Sequence, residues 1–206
     1  AYSNAKKIAC RSEVLKKKFL KLYPQYENKT FVCYSGIDFE PKKRTWTLQK
    51  PPKILTCAHL IKRKNVDKVI KECENLDVEL RIIGEGKELK NLKKLSLKPK
   101  FLGHLARTEV LKEMQDADIF ALPSVNETFG MVYLEAMASG CVTVCSENEG
   151  VAGIIKDKEN GYFWHEGIIK KIICSENQND ILDKSYQTIK KYTMKEACKN
   201  YLNQIK

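Results

Sequence analysis

The chain lacks the patterns that would make several functions easy to assign. None of its eight cysteines (Cys10, Cys33, Cys57, Cys73, Cys141, Cys145, Cys174, Cys198) forms a CxxC pair, and its three histidines (His59, His104, His165) are scattered. A zinc site is therefore not expected. The cysteines fall singly in apolar stretches, as Cys57 does in KILTCA, and read as small core residues of a reduced, cytoplasmic protein. The longest uncharged stretch, Ala136 to Ser146, is shorter than the ~18 apolar residues of a membrane span and contains Ser139, Gly140 and Thr143. The opening AYSNAKK has neither a starting Met nor the apolar core of a signal peptide, so a processed or truncated chain is expected. No internal repeat and no low-complexity segment is present.

The 206 residues suffice for one domain of ordinary size, or one domain and a piece of another. A composition 43% hydrophobic and 31% charged is that of a globular protein. Thirty-seven basic against twenty-six acidic residues give a net charge of +11, which favours an anionic partner: nucleic acid, an acidic membrane surface or a phosphate-bearing ligand. Nucleic acid is the weakest of the three. The lysines lie mainly on helix faces (16–18, 90–94, 190–191), with few interleaved aromatics to stack on bases.

The pattern divides at the proline-rich, polar stretch Asp38–Pro52, which gives a linker at 41–52. Before it, residues 1–40 hold one helix in SEVLKKKFLKLY and one strand in TFVCYSGID, too little for a domain. From 53 to 176 strands alternate with helices: KILTCAHL, NVDKVIKECENL, VELRIIG, GKELKNLKKL, KFLG, TEVLKEMQDA, DIFALPS, a helix from about 130 to 139, CVTVC, a short helix near GVAGIIK, and GYFW. Such alternation predicts an α/β fold, a doubly wound (Rossmann-like) parallel sheet with helices on both faces. Residues 177–206 read as two closing helices.

Ligands of such folds bind beyond the carboxyl ends of the strands. Four junctions there carry suggestive groups: His59–Lys64, Gly84-Glu85-Gly86, Lys100–His104 and Ser124–Glu135. In the last, Glu127 stands just before a helix whose first amides, at Gly130, Met131 and Val132, would face an anion. Glu135, eight residues on, can face the same crevice from deeper in. Two acceptors flanking a bed of donors suit a phosphate with a polyhydroxylated group on either side, as in a nucleotide sugar. Singly, each group has an ordinary reading as well. Glu127 would favour the helix dipole, Glu135 would be a solvated helix residue, Lys64 would be surface charge in a KRK run, and GEG would be a tight turn.

Taken together, the motifs resemble the retaining "group 1" glycosyltransferases of family four, over nearly the whole chain and specifically their C-terminal donor-binding domain. The family's E-x7-E motif is Glu127–Glu135 in ETFGMVYLE, followed by EAMASG and CVTVCSENEGVAGIIKDKENGYFW. ILTCAHLIKRKNVDKVI, RIIGEGKELKNL, KFLGHL and DIFALPSVNETFG match its earlier segments in order, and TFVCYSGID looks like the end of its N-terminal domain. The resemblance implies the C-terminal half of a two-domain GT-B enzyme, with residues 1–40 a remnant of the acceptor domain, the rest of which is missing. It also implies transfer of a sugar from a nucleotide diphosphate donor, GDP-mannose or a UDP-hexose, to a glycan or lipid-linked acceptor in bacterial lipopolysaccharide or surface-polysaccharide synthesis.

By position, the resemblance makes Glu127 and Lys64 catalytic, Glu127 at the donor sugar and Lys64 at the diphosphate. Glu135 would take the ribose, and the 129–132 segment, Phe129 with the amides of Gly130, Met131 and Val132, the distal phosphate or sugar. Gly84 and the backbone near Lys100 and Leu102 would line the base. No metal and no cofactor beyond the donor is expected. The family's Gly-Arg is replaced by Ala58-His59, so His59 would stand in for the arginine at the diphosphate, and the glycine after its lysine is replaced by Asn65. A peripheral position at the inner face of an anionic membrane is the expectation the charge adds. A non-catalytic nucleotide- or carbohydrate-binding module is the alternative.

Overall fold

The computed structural model describes residues 2–205. Its main sheet has six strands, β3 (Lys53–Cys57), β4 (Glu79–Ile83), β5 (Lys100–Gly103), β6 (Ile119–Leu122), β7 (Val142–Cys145) and β8 (Tyr162–Phe163), in the spatial order β5-β4-β3-β6-β7-β8. Every pairing is parallel. This is the doubly wound arrangement the alternation predicts, and the strand order reverses between β3 and β6. The central strands are buried on both faces, which explains why Ile54-Leu55 and the whole of Ile119–Leu122 are apolar.

The helices are α2 (Val66–Cys73), α3 (Leu89–Leu95), α4 (Arg107–Asp116), α5 (Met131–Ala138), α6 (Ile168–Ile173) and α7 (Asn179–Ile189). In α2, Val66, Val69, Ile70 and Cys73 recur at helical spacing and are all buried. Helix α5 is apolar nearly all round because it lies at the centre of the molecule, with Tyr133, Leu134 and Ala136 through Ala138 buried. Ahead of the sheet, β1 (Ile8–Cys10), α1 (Glu13–Leu22) and β2 (Thr30–Val32) form a small parallel unit. The last helix, α8 (Met194–Ile205), meets this unit through the Phe31–Tyr201 ring contact, and Thr193 just before it bridges to Ile37.

Several details depart from the sequence reading. Residues 1–40 contain a second strand, β1, too short to show a period. GVAGIIK forms turns and a bridge between Ala152 and Ile155 instead of a helix, and the IIKKII segment forms α6. The 41–52 segment has no regular structure but is strapped to the main domain. Arg44 donates to Asp118 at 2.8 Å and to the Ala117 carbonyl, Lys42 N–H to the Ala138 carbonyl at 2.7 Å, and Trp46 N–H to Asn179 at 2.8 Å.

Candidate functional site

The reversal of strand order opens a crevice of about 730 Å³ at the carboxyl edge of the sheet. Its walls include Ala58 and His59 after β3, Gly84 and Glu85 after β4, His104 to Arg107 after β5, and Met131, Val132 and Glu135 of α5. The volume is within the range of small-molecule sites. At two points backbone packs so closely that only glycine fits. A Cβ on Gly84, whose φ is +123°, would stand 1.9 Å from the Ala58 carbonyl oxygen, and one on Gly130, at φ +87°, would stand 2.5 Å from the Tyr133 ring.

On the β6 side, the loop carrying Glu127 is tied to the loop after β3. Lys64 Nζ lies 2.5 Å from Glu127 Oε2, with about a tenth of each side chain exposed. Asn65, in the left-handed region at φ +51°, donates from its side chain to the Pro123 carbonyl at 2.7 Å. Asn is one of the few residues that adopts this conformation readily, so the loss of the family glycine is accommodated. Ser124 donates to Glu127 Oε2 at 3.1 Å and also meets the Tyr133 hydroxyl at 2.7 Å. Burial pushes the Tyr133 phenol well above its ordinary value, so it serves as a neutral hydrogen-bonding group. Glu149 accepts the N–H groups of both Asn126 (2.9 Å) and Glu127 (2.7 Å), fixing the backbone from behind.

Deeper in the crevice, Glu135 Oε1 accepts from Arg107 Nε and Nη2 at 3.2 and 3.0 Å. The first intrahelical turn of α5 closes with Tyr133 N–H donating to the Gly130 carbonyl at 3.0 Å, which leaves the preceding N–H groups of Met131 and Val132 beside the crevice. Cys57 also lines it, and burial, with a smaller contribution from Glu135, raises its thiol to about 11. That thiol is protonated at neutral pH and is no nucleophile there.

The structure thus sets His59, Gly84, Met131, Val132 and Glu135 along the crevice, with Gly130 as the cap of α5, and pairs Lys64 with Glu127, whose side chain lies against Gly130. Three expected residues stand elsewhere. Lys100 begins β5 and so lies at the amino edge of the sheet, where its Nζ is 2.9 Å from Glu79. Leu102 packs against the core, and the wall near it is built from His104 to Ala106, beyond the end of the strand. Phe129 is 2% exposed, with its backbone against Gly150 and its ring 5.8 Å from that of Tyr34, so it is a packing residue. The chain contains an Asp-x-Asp triplet, Asp116-Ala117-Asp118. It sits at the amino edge, where Asp116 binds Lys53 and Arg81 and Asp118 binds Arg44. The side chains that sequence reasoning did not single out are Arg107, which lies outside the matched segments, and Ser124, Tyr133 and Glu149, which lie inside them but show their roles only by contact.

A family model described as "Glycosyl transferases group 1" matches residues 38–196. The chain belongs to the group 1 glycosyltransferases. An uncharacterized glycosyltransferase of Methanocaldococcus jannaschii is 26% identical over 194 residues, covering 92% of this chain and 51% of the relative. A GDP-mannose-dependent phosphatidylinositol monomannoside mannosyltransferase of Corynebacterium glutamicum is 30% identical over 144 residues, 56% of this chain and 38% of its own. Among solved structures, HepE of Anabaena in complex with UDP superposes with a TM-score of 0.81 at 18% identity, covering 98% of this chain and 64% of that one. Its neighbours are GT-B glycosyltransferases, and the chain corresponds to a C-terminal-like half of that fold. The chain spans about half the length of the first curated relatives it matches. Among the described residues no helix is long and apolar enough to cross a membrane.

Proposed function

We propose that this chain is the donor-binding half of a retaining glycosyltransferase that takes its sugar from a nucleotide diphosphate. The observation that carries the reading is that His59, Met131, Val132 and Glu135 line one crevice at the amino end of α5, and that the Lys64–Glu127 pair adjoins the same helix end, with the Glu127 side chain against Gly130. A nucleoside diphosphate lies there with its ribose at Glu135, its phosphates at the Met131 and Val132 amides and at Lys64, and the sugar at Glu127. As the bond between the sugar and the diphosphate breaks, negative charge builds on the leaving phosphate oxygen, and Lys64 is the cation nearest to that position. GDP-mannose or a UDP-hexose is the proposed donor, consistent with the GDP-mannose-dependent relative and the UDP held by HepE. The acceptor is a glycan or a lipid-linked sugar of a surface polysaccharide or lipopolysaccharide, bound by a facing domain that this chain does not supply. The positive charge suits peripheral contact with an anionic membrane, a role that equal binding to neutral and anionic vesicles would refute.

His59 is exposed on the crevice wall where the family places an arginine. Its ring nitrogens can donate to a phosphate oxygen there. Affinity for a nucleoside diphosphate unchanged by His59→Ala would remove it from the site. The reading as a whole is tested by incubating the intact enzyme with labelled GDP-mannose and UDP-hexoses and following the first-formed anomer by NMR. Transfer or slow hydrolysis with the donor's configuration kept supports it; an inverted product overturns the retaining assignment.

A further inference from the structure

Arg107, the first residue of α4, stands in the crevice wall and belongs to no motif. Its guanidinium is shared between two carboxylates far apart in sequence. Nη1 and Nη2 donate to the two oxygens of Asp38 at 2.6 and 2.5 Å, while Nε and Nη2 donate to Glu135 Oε1 at 3.2 and 3.0 Å. Both contacts with Glu135 use Oε1, and no described residue donates to Oε2. Glu135 is largely buried, its side chain 16% exposed, whereas Arg107 and Asp38 are half exposed. Exposed ion pairs contribute little to stability, so a stabilising role alone gives this arrangement little value. Its geometry does something else: the Nη1–Nη2 fork is fixed on Asp38 while the Nε–Nη2 edge converges on the single oxygen Oε1 of Glu135, a two-sided hold that a lysine ammonium cannot make.

We propose that Arg107 is a positioning residue for the ribose subsite, holding Glu135 by Oε1 so that Oε2 is free to accept a ribose hydroxyl. The inference rests on the donor-site reading above. Arg107 also leaves the three groups with one net negative charge instead of two beside a ligand that is itself anionic. Asp38 holds the far side of the fork. It follows Ile37, whose backbone pairs with Thr193 at the junction of the main domain and the β1–α1–β2 unit. The orientation of Glu135 is thereby connected to the segment that joins the two units, and displacement of that segment loosens the ribose subsite.

The test is calorimetric titration of the intact protein with whichever of UDP, GDP and ADP binds best, and with the 2′,3′-dideoxy form of the same nucleotide. Wild type should prefer the hydroxylated ligand by about tenfold, the value of one hydrogen bond to a charged group. Glu135→Ala should remove that preference. Arg107→Ala should remove most of it, and so should Arg107→Lys, which keeps the charge and loses the fork. The double substitution R107A/E135A should be no worse than E135A in discrimination, and Asp38→Asn should fall between wild type and R107A. Melting curves check that each variant is folded, with R107K available if R107A is not. If R107A and R107K weaken both ligands by the same factor while E135A abolishes the preference, the positioning role is wrong and the donor-site reading survives. If E135A keeps the preference, or no nucleotide binds the wild-type protein, both fall together.

Discussion

Lys64 and Glu127 lie 63 positions apart, yet Nζ and Oε2 are 2.5 Å from one another, across the point where the strand order of the sheet reverses. The lysine expected to hold a diphosphate is thus already paired in the free protein. On the proposed reading, an incoming phosphate would compete with Glu127 for it, and a donor sugar would offer Glu127 hydroxyls in exchange. Lys64→Ala should weaken binding of nucleoside diphosphate and nucleotide sugar alike, by about tenfold or more. Glu127→Gln removes the competing carboxylate as well as the acceptor for the sugar, so it should weaken the nucleotide sugar while the nucleoside diphosphate binds as well as before or better. Titration of both ligands against both variants separates these effects, and equal losses for E127Q would remove Glu127 from the sugar.

Glu149 does not line the crevice but accepts the N–H groups of Asn126 and Glu127 that aim the Glu127 loop. Glu149→Ala leaves those donors to water and frees the loop. A drop of about fivefold in nucleotide-sugar affinity is expected, with the melting temperature changed little because the loop is at the surface. An unchanged affinity would show that the loop is held without Glu149.

Gly84 admits no side chain. Gly84→Ala adds strain at φ +123° to a Cβ only 1.9 Å from the Ala58 carbonyl oxygen, and should destabilise the domain by more than about 2 kcal/mol in denaturant unfolding. A smaller loss would mean that the β3 and β4 ends separate easily, and the crevice wall is then less rigid than its contacts indicate.

The opposite edge of the sheet carries an acid-sensitive cluster. Lys100 and Arg81 hold the Glu79 carboxyl below its ordinary range, and Lys53 with Arg81 does the same for Asp116. Folded values below unfolded ones contribute stability that is fully present above the ordinary carboxylate range and lost as pH falls through the folded values, below about pH 4. Arg81→Ala should therefore cost about 1–2 kcal/mol at neutral pH, and the difference from wild type should shrink in that acid window. A difference that stays constant down to about pH 2 would contradict the assignment.

The fold was readable because a parallel sheet writes itself as short apolar runs bounded by turns, and the strands from β3 to β8 follow that pattern. Glu127 and Glu135 were readable because both belong to one loop and helix, where spacing decides which way each faces. For Lys100 and Leu102, assigned by resemblance to the backbone lining the base, the structure shows positions within β5 and not beyond its end. A match in a strand does not say which end of the strand a residue occupies, and Lys100 is at the amino end. The Asp38–Arg107–Glu135 contact was beyond reach for a different reason. Its members are 69 and 28 positions apart, and only the closing of the sheet brings them together. Phe129, conspicuous between two motif residues, proved to be there for packing against Gly150 and Tyr34.

The central claim is that the crevice between β3 and β6 binds a nucleoside diphosphate, and isothermal calorimetry with UDP, GDP and ADP on the intact protein tests it most directly. One of the three should bind selectively, and Lys64→Ala and Glu135→Ala should each weaken it by about tenfold while the folded state persists. Selective binding that neither substitution alters would place the nucleotide elsewhere and contradict the account.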